Sequence, residues 1–206
     1  MSLRLFHSPA SPYVRKVMIT AYERGIADRI EFLEAAAGPV RRDMNIVRHN
    51  ASGKVPCLLI ENDEPVFDSR VICQYLDQIA GTEGSVYGTG SHKIRILTLE
   101  ALADSILDAC LLRRYEDVLR PAEFRWSDWA DSQMEKVDSG LDDLAGRWMP
   151  ELTGPFHAGA IATAATLGYL DFRFPERDWR KGRPQLAQWF DEISRRESLI
   201  LTAPRG

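Results

Sequence analysis

Ser11 stands before Pro12 and before an apolar stripe at helical spacing, Val14, Val17, Met18 and Tyr22, which places a hydroxyl at the first turn of a helix. Such a serine is an ordinary N-cap. It can also donate its O–H to an anion, because backbone N–H groups and the macrodipole favour negative charge at the same place. Two other pairs have a similar double reading. Val55-Pro56 opens an apolar run, where a proline is tolerated at the first strand position. Asp68-Ser69 heads a second amphipathic stretch, where either side chain can cap.

Other chemistries have less support. His7 shares a segment with Ser11, but no acidic residue can be assigned to orient it, so a Ser-His-Asp triad is not indicated. The three cysteines, Cys57, Cys73 and Cys110, are widely spaced in apolar runs and read as small core residues. His7, His49, His92 and His157 lack the spacing of a metal site, and no metal is expected. Asp104 and Asp108 lie one helical turn apart near the seam of a long helix, where like charges weaken the helix slightly.

The chain has 206 residues, 45% of them apolar, enough for one large core or two small ones. With a formal charge of −4 and no basic stripe, a nucleic-acid face has no electrostatic support. No stretch approaches the roughly 18 consecutive apolar residues of a membrane span. The segment Met1 to His7 is too short and mixed for a signal peptide, so a cytoplasmic protein is expected.

The elements that must position these residues follow from periodicity. Leu3–Phe6 reads as a strand, then a helix runs from Ser11-Pro12 to near Gly25, followed by strands at Arg29–Leu33, Val55–Ile60 and Val66–Phe67. A helix spans Ser69 to about Ile79. The glycine-rich stretch 81–90 is then a linker between a domain at 1–80 and one at 91–206. The second domain is all helical: a long helix from Ser91 to about Tyr115, then Trp126–Trp148, Ile161–Leu170 and Pro184–Arg195. No internal repeat is present.

This α/β plus all-α order, with three local motifs, resembles the glutathione transferase superfamily in its serine-using classes. The motifs are Ser11-Pro12-Tyr13-Val14-Arg15-Lys16-Val17, Asn50-Ala51-Ser52-Gly53-Lys54-Val55-Pro56, and Asp68-Ser69. Segments around Asp104 and around Tyr169 extend the likeness through the helical half.

The resemblance implies a thioredoxin-like βαβαββα domain that binds glutathione as co-substrate. It assigns Ser11 the task of stabilising the glutathione sulfur as thiolate. A free thiol titrates near ~8.5, and each unit of lowering corresponds to ~1.4 kcal/mol. It further implies a cis bond before Pro56, with the Val55 backbone pairing to the tripeptide, Ser69 on the γ-glutamyl carboxylate and Asp68 facing its ammonium. Lys54 and either Arg41 or Arg42 are candidates for the glycyl carboxylate. Asp104 is a candidate for reaching a partner's glutathione across a homodimer interface. Tyr13 and Arg113 or Arg114 are candidates against a small hydrophobic electrophile.

The sequence departs from the family at the start of a buried helix, where Gly154-Pro155-Phe156-His157-Ala158-Gly159-Ala160 lacks the usual Ser/Thr…Asp capping box, so an altered helix start or lower stability is expected. Ala51 also replaces a common proline. The alternatives are a non-catalytic scaffold of this fold that binds a protein partner and a glutathione-dependent isomerase or dehalogenase. A reductase is disfavoured because its members usually carry cysteine where Ser11 stands.

Overall fold

The computed structural model describes residues 3–205. Two compact units result, Met1–Gly88 with Glu197–Gly206, and Thr89–Arg196.

The first unit is built on a four-stranded sheet in the order β2-β1-β3-β4. Its strands are β1 (Leu3–His7), β2 (Ile30–Glu34), β3 (Cys57–Leu59) and β4 (Pro65–Val66). β1 runs parallel to β2 and antiparallel to β3, and β3 runs antiparallel to β4. Helices α1 (Pro12–Glu23), α2 (Met44–Val47) and α3 (Ser69–Ile79) complete the βαβαββα order. Both faces of the sheet are covered. Phe6, Cys57 and Leu59 share one face with Ile46 of α2, and the alternate residues Leu5 and Leu58, fully buried, point the other way. β3 therefore reads as a continuous apolar run, without alternation. It is shorter than the expected Val55–Ile60, because Pro56 has no N–H to give the ladder and Ile60 N–H turns to the Glu64 carbonyl at 2.9 Å.

Behind the sheet, Arg24 at the end of α1 closes a polar knot. Its Nε lies 2.8 Å from Asp77 Oδ1, with side chains 5% and 10% exposed. Asp77 also accepts from Ser85 Oγ at 2.6 Å and Val86 N–H at 2.9 Å, so α1, α3 and the glycine-rich stretch are tied together. The short helix α9 (Glu197–Leu201) also belongs to this unit, where the Leu199 carbonyl accepts from Arg15 Nη2 at 3.3 Å.

The second unit contains α4 (Gly90–Val118), α5 (Ser127–Ala145), α6 (Met149–Leu152), α7 (Ala158–Arg173) and α8 (Pro184–Ile193). The helix expected over Trp126–Trp148 ends at Ala145, because the chain leaves helical geometry at Gly146, and the short helix α6, with Pro150 in its first turn, follows beyond Trp148. α7 is buried from Ala158 through Leu170, as its nearly all-apolar sequence requires. It packs so closely on α4 that a Cβ at Gly159 would lie 2.9 Å from Leu99 side-chain atoms and 3.0 Å from the Ile96 carbonyl.

The missing capping box is replaced by an imidazole. His157 is the N-cap of α7, its Nδ1 accepting from Ala160 N–H at 3.2 Å. Helix α7 therefore starts with a satisfied donor, three residues before the expected Ile161. An accepting Nδ1 places the proton on Nε2, which is buried with no hydrogen-bond partner among the described residues. Burial, outweighing the opposing pull of Glu151, and secondarily His92 hold the imidazole below its usual range. The His92 ring sits 6.2 Å away, edge-on.

Protonation would remove the cap acceptor and place a cation at a helix N-terminus. Because the folded-state value is depressed, this contribution is complete above pH ~6.5 and is lost as pH falls through the folded value. Thermal melts of His157→Ser, which keeps an acceptor but cannot titrate, should lose less stability than the native chain between pH 7 and 5, by about 1 kcal/mol. Parallel pH curves for the two proteins would remove the imidazole from this role.

Candidate functional site

The strand registers bring the chemical residues to one edge of the sheet. Phe6 pairs with Cys57, so the chain leaving β1 toward Ser11 lies beside the chain entering β3 through Val55-Pro56. Leu58 pairs with Val66, so continuing outward sets Asp68 beyond the same edge. His7 pairs with Glu34, and the parallel strand β2 delivers the connection to α2 there as well. Four separate segments thus converge at one end of the first unit.

Ser11 sits at the N-cap of α1 with extended φ/ψ of −81° and 121°. Its N–H closes a turn on the Ser8 carbonyl at 3.0 Å, and its Oγ accepts from Val14 N–H at 3.3 Å. A hydroxyl that accepts still has its proton to donate. Capping and anion stabilisation are therefore compatible in one side chain.

The second segment is set by Asn50, a residue quoted within a motif but given no task by sequence reasoning. It is 2% exposed, donates from Nδ2 to the Lys54 carbonyl at 3.0 Å, and accepts at Oδ1 from Ser52 N–H and Oγ at 3.0 and 2.7 Å. This Asx turn, with Gly53 at φ +66°, fixes the approach to Val55. The signal available in sequence was Asn-x-Ser before a glycine. The Val55–Pro56 bond is cis, and among the described residues the Val55 N–H and C=O make no backbone hydrogen bond. Lys54 beside it is exposed.

Asp68 caps α3, its Oδ1 accepting from Arg70 N–H at 3.0 Å, and the bond before it is cis too. Ser69 is 3% exposed at the first helical position, and its hydroxyl makes no hydrogen bond among the described residues.

The connection after β2 lines a concavity of about 730 Å³ whose walls include His7, Glu34, Arg41, Arg42 and Asp43. Arg42 donates to the Ala51 carbonyl at 2.6 Å and so braces the Asn50 loop, while Arg41 is exposed. Asp43 caps α2 through Asn45 N–H and accepts from Ala36 N–H, both at 2.9 Å. Those backbone hydrogen bonds, Ala36 first, hold its carboxyl below the usual range. His7, whose ring centroid is 4.4 Å from that of Phe32, is lowered by burial. Sequence reasoning treated His7 as a strand end, and it occupies that position while also lining the concavity.

Tyr13 is half-buried on α1. Arg113 is paired at 2.8 Å with both Asp117 and Asp131, on a separate concavity of about 440 Å³ within the second unit. Arg114 is half-buried. Asp104 is 2% exposed on α4, and Asp108, one turn on, is the exposed member of the pair. All three cysteines are buried, and burial pushes Cys57 up to about 11 and Cys110 to about 12. Among the described residues no group of three His, Cys, Asp or Glu could hold a metal.

The chain matches the model of the glutathione S-transferase N-terminal domain over residues 10–79 and that of the C-terminal domain over 127–192. It is 33% identical over 204 residues to the uncharacterized GST-like protein YibF of Escherichia coli K12, covering 98% of each chain. A glutathione transferase family member from Pseudomonas fluorescens Pf-5, solved with bound glutathione, is 44% identical with a TM-score of 0.96 over 100% of both chains. A second structure of a family member from that strain, with bound S-(propanoic acid)-glutathione, gives 44% identity and a TM-score of 0.92, covering 99% of this chain and 100% of that one.

The carboxylate of Asp43 should govern the order of the loop beside the concavity. In Asp43→Ala, the amides of Ala36 and Asn45 are expected to exchange with deuterium faster than in the native chain. The native protection should fade as pH falls below the ordinary carboxylate value of ~3.9 toward the depressed folded one. Unchanged exchange in the variant would mean that the loop is held by other contacts.

Proposed function

Because the chain belongs to the glutathione S-transferase superfamily, we propose that it binds glutathione at the converged edge of its sheet and joins the tripeptide, through its sulfur, to a small hydrophobic electrophile. The observation that carries this reading is Ser11, a helix N-cap whose oxygen accepts from Val14 N–H while its proton remains to be donated.

In this reading the cysteinyl backbone of glutathione pairs with Val55 as an added strand. Its γ-glutamyl carboxylate meets Ser69 at the head of α3, and Asp68 faces the ammonium. Arg41 and Lys54, both exposed, attract the glycyl carboxylate, with Arg42 holding the loop. The bound thiol releases its proton to solvent, and the Ser11 O–H steadies the sulfur anion. The thiolate then forms a carbon–sulfur bond to the electrophile as the leaving group departs with its electron pair. Catalysis consists of thiolate stabilisation and positioning of the second substrate. Support comes from the glutathione and the S-substituted glutathione bound by the Pseudomonas fluorescens relatives. The reading includes a cytoplasmic homodimer, the state the family resemblance implies, and no helix among the described residues is long and apolar enough to cross a membrane.

Ser11→Ala should lower kcat by about 10- to 100-fold, the scale of losing a hydrogen bond to a charged group, with a much smaller effect on glutathione affinity. Ultraviolet difference titration of the complex should show the sulfur ionising below ~8.5 in the native protein and closer to it in the variant. Equal turnover by both proteins would end the assignment. A scaffold reading would instead require that the native chain pass unretained through immobilised glutathione.

A further inference from the structure

The chain leaves the first unit after Gly88 and rejoins it at Glu197, so the stretch 197–205 is a second passage of the backbone through that unit. Nothing in the proposed conjugation uses it. Its course follows from its sequence. α9 stops at Leu201 because Ala203 precedes Pro204: a residue before proline is pushed out of helical geometry, and the proline itself cannot donate. Thr202 closes the last turn, its Oγ1 donating to the Ser198 carbonyl at 2.7 Å, and the Ala203 N–H reaches the Ile200 carbonyl at 3.3 Å. Beyond that the chain carries no helix or strand through Arg205.

Three hydrogen bonds lay this stretch along α1 in the opposite direction. Ser198 Oγ donates to Glu23 Oε1, in the last turn of α1, at 2.5 Å. Arg15 Nη2, near the start of α1, donates to the Leu199 carbonyl at 3.3 Å. The Arg205 N–H then donates to the Pro9 carbonyl, ahead of α1, at 3.3 Å. Ser198, Leu199 and Arg15 are buried, so water competes little for the first two ties.

Ser11 lies between the other ends of the last two. Pro9 is the second residue of the turn that the Ser11 N–H closes on the Ser8 carbonyl at 3.0 Å, and the Arg15 N–H donates to the Ser11 carbonyl, also at 3.0 Å. Pro9 is exposed, and a surface turn closed by one hydrogen bond opens readily. A donor from outside the turn, carried by a segment itself anchored on α1, removes that freedom. The Arg205 side chain is exposed and makes no hydrogen bond or ion pair among the described residues, so what this residue brings to the turn is its backbone N–H.

We propose that the returning segment is a positioning strap for the thiolate site, in which the Arg205 N–H holds the Ser8–Ser11 turn and thereby aims the Ser11 hydroxyl at the bound sulfur. This rests on the transferase reading above and adds a positioning group to it. Hydrogen bonds weaken steeply with distance and angle, and a small misplacement of a group that acts on the reacting atom costs more in turnover than in binding.

Arg205→Pro removes the N–H, whereas Arg205→Ala keeps it and removes the charge. In Arg205→Pro the Ser11 amide of the free protein should exchange with deuterium faster than in the native chain. The sulfur of the glutathione complex should ionise about half a unit to one unit higher, and kcat should fall roughly 3- to 10-fold with little change in KM for glutathione. Arg205→Ala, as the conservative variant, should rescue all three readings. A loss of equal size in Arg205→Ala would place the effect in the charge and overturn the proposal. Native ionisation of the sulfur in Arg205→Pro overturns it too, whatever the exchange of Ser11. Should Arg205→Pro fail to fold, an ester in place of the amide between Pro204 and Arg205, which removes the N–H alone, decides by the same readings. A native chain that leaves the sulfur near ~8.5 fails the transferase reading and the strap with it, whereas the strap fails alone when native chain and Arg205→Pro lower the sulfur equally.

Discussion

The central strand β1 has neighbours of opposite sense, β2 parallel and β3 antiparallel, and the rest of the first unit follows from that constraint. A parallel pair needs a crossover, which α1 provides, and so the chain must turn from β1 into a helix at the C-terminal end of the strand. An antiparallel partner must enter the sheet at that same end. The hydrogen-bonding register alone therefore brings a helix N-terminus and an incoming extended backbone into proximity, before any side chain has been chosen. β4 repeats the reversal and adds a second helix N-terminus, that of α3. The topology supplies the backbone donors, and Ser11, Val55 and Ser69 only have to leave them usable.

Ser11 shows how little separates a structural residue from a chemical one. As a cap it satisfies one orphan donor of α1, a contribution of about 1 kcal/mol. A shift of two units in a bound thiol would require about 2.7 kcal/mol of preferential anion stabilisation. A hydrogen bond from one hydroxyl to an anion contributes about 1.5–3 kcal/mol, and the helix N-terminus adds to it. Asp43 and Asn50 act at one remove, since each keeps a loop in place through hydrogen bonds to backbone, and neither needs to touch a ligand.

The features legible in sequence were those with a local cause. Ser11-Pro12 marks the start of α1 and Asp68 that of α3, because caps are written in residues adjacent to the helix. The α/β half and the helical half were separable by periodicity. What escaped depended on distant contacts or on unusual chemistry. His157 replaced a hydroxyl with an imidazole nitrogen, which no capping pattern includes. The concavity joining His7 to Arg41 exists only because β1 and β2 end together. α9 is five residues long, too short to show periodicity. The unequal burial of Asp104 and Asp108, one helical turn apart, likewise depends on what packs against α4.

The burial of Cys57, Cys73 and Cys110 has a consequence for durability. Under the proposed conjugation, a protein that handles reagents hungry for sulfur risks being alkylated by them. Here the native thiols are shielded, and the two pushed up to about 11 and 12 are almost entirely protonated at neutral pH, so they are poor targets. In that proposed reaction, an incoming reagent would find the soft nucleophile on the bound, exchangeable peptide rather than on these shielded cysteines.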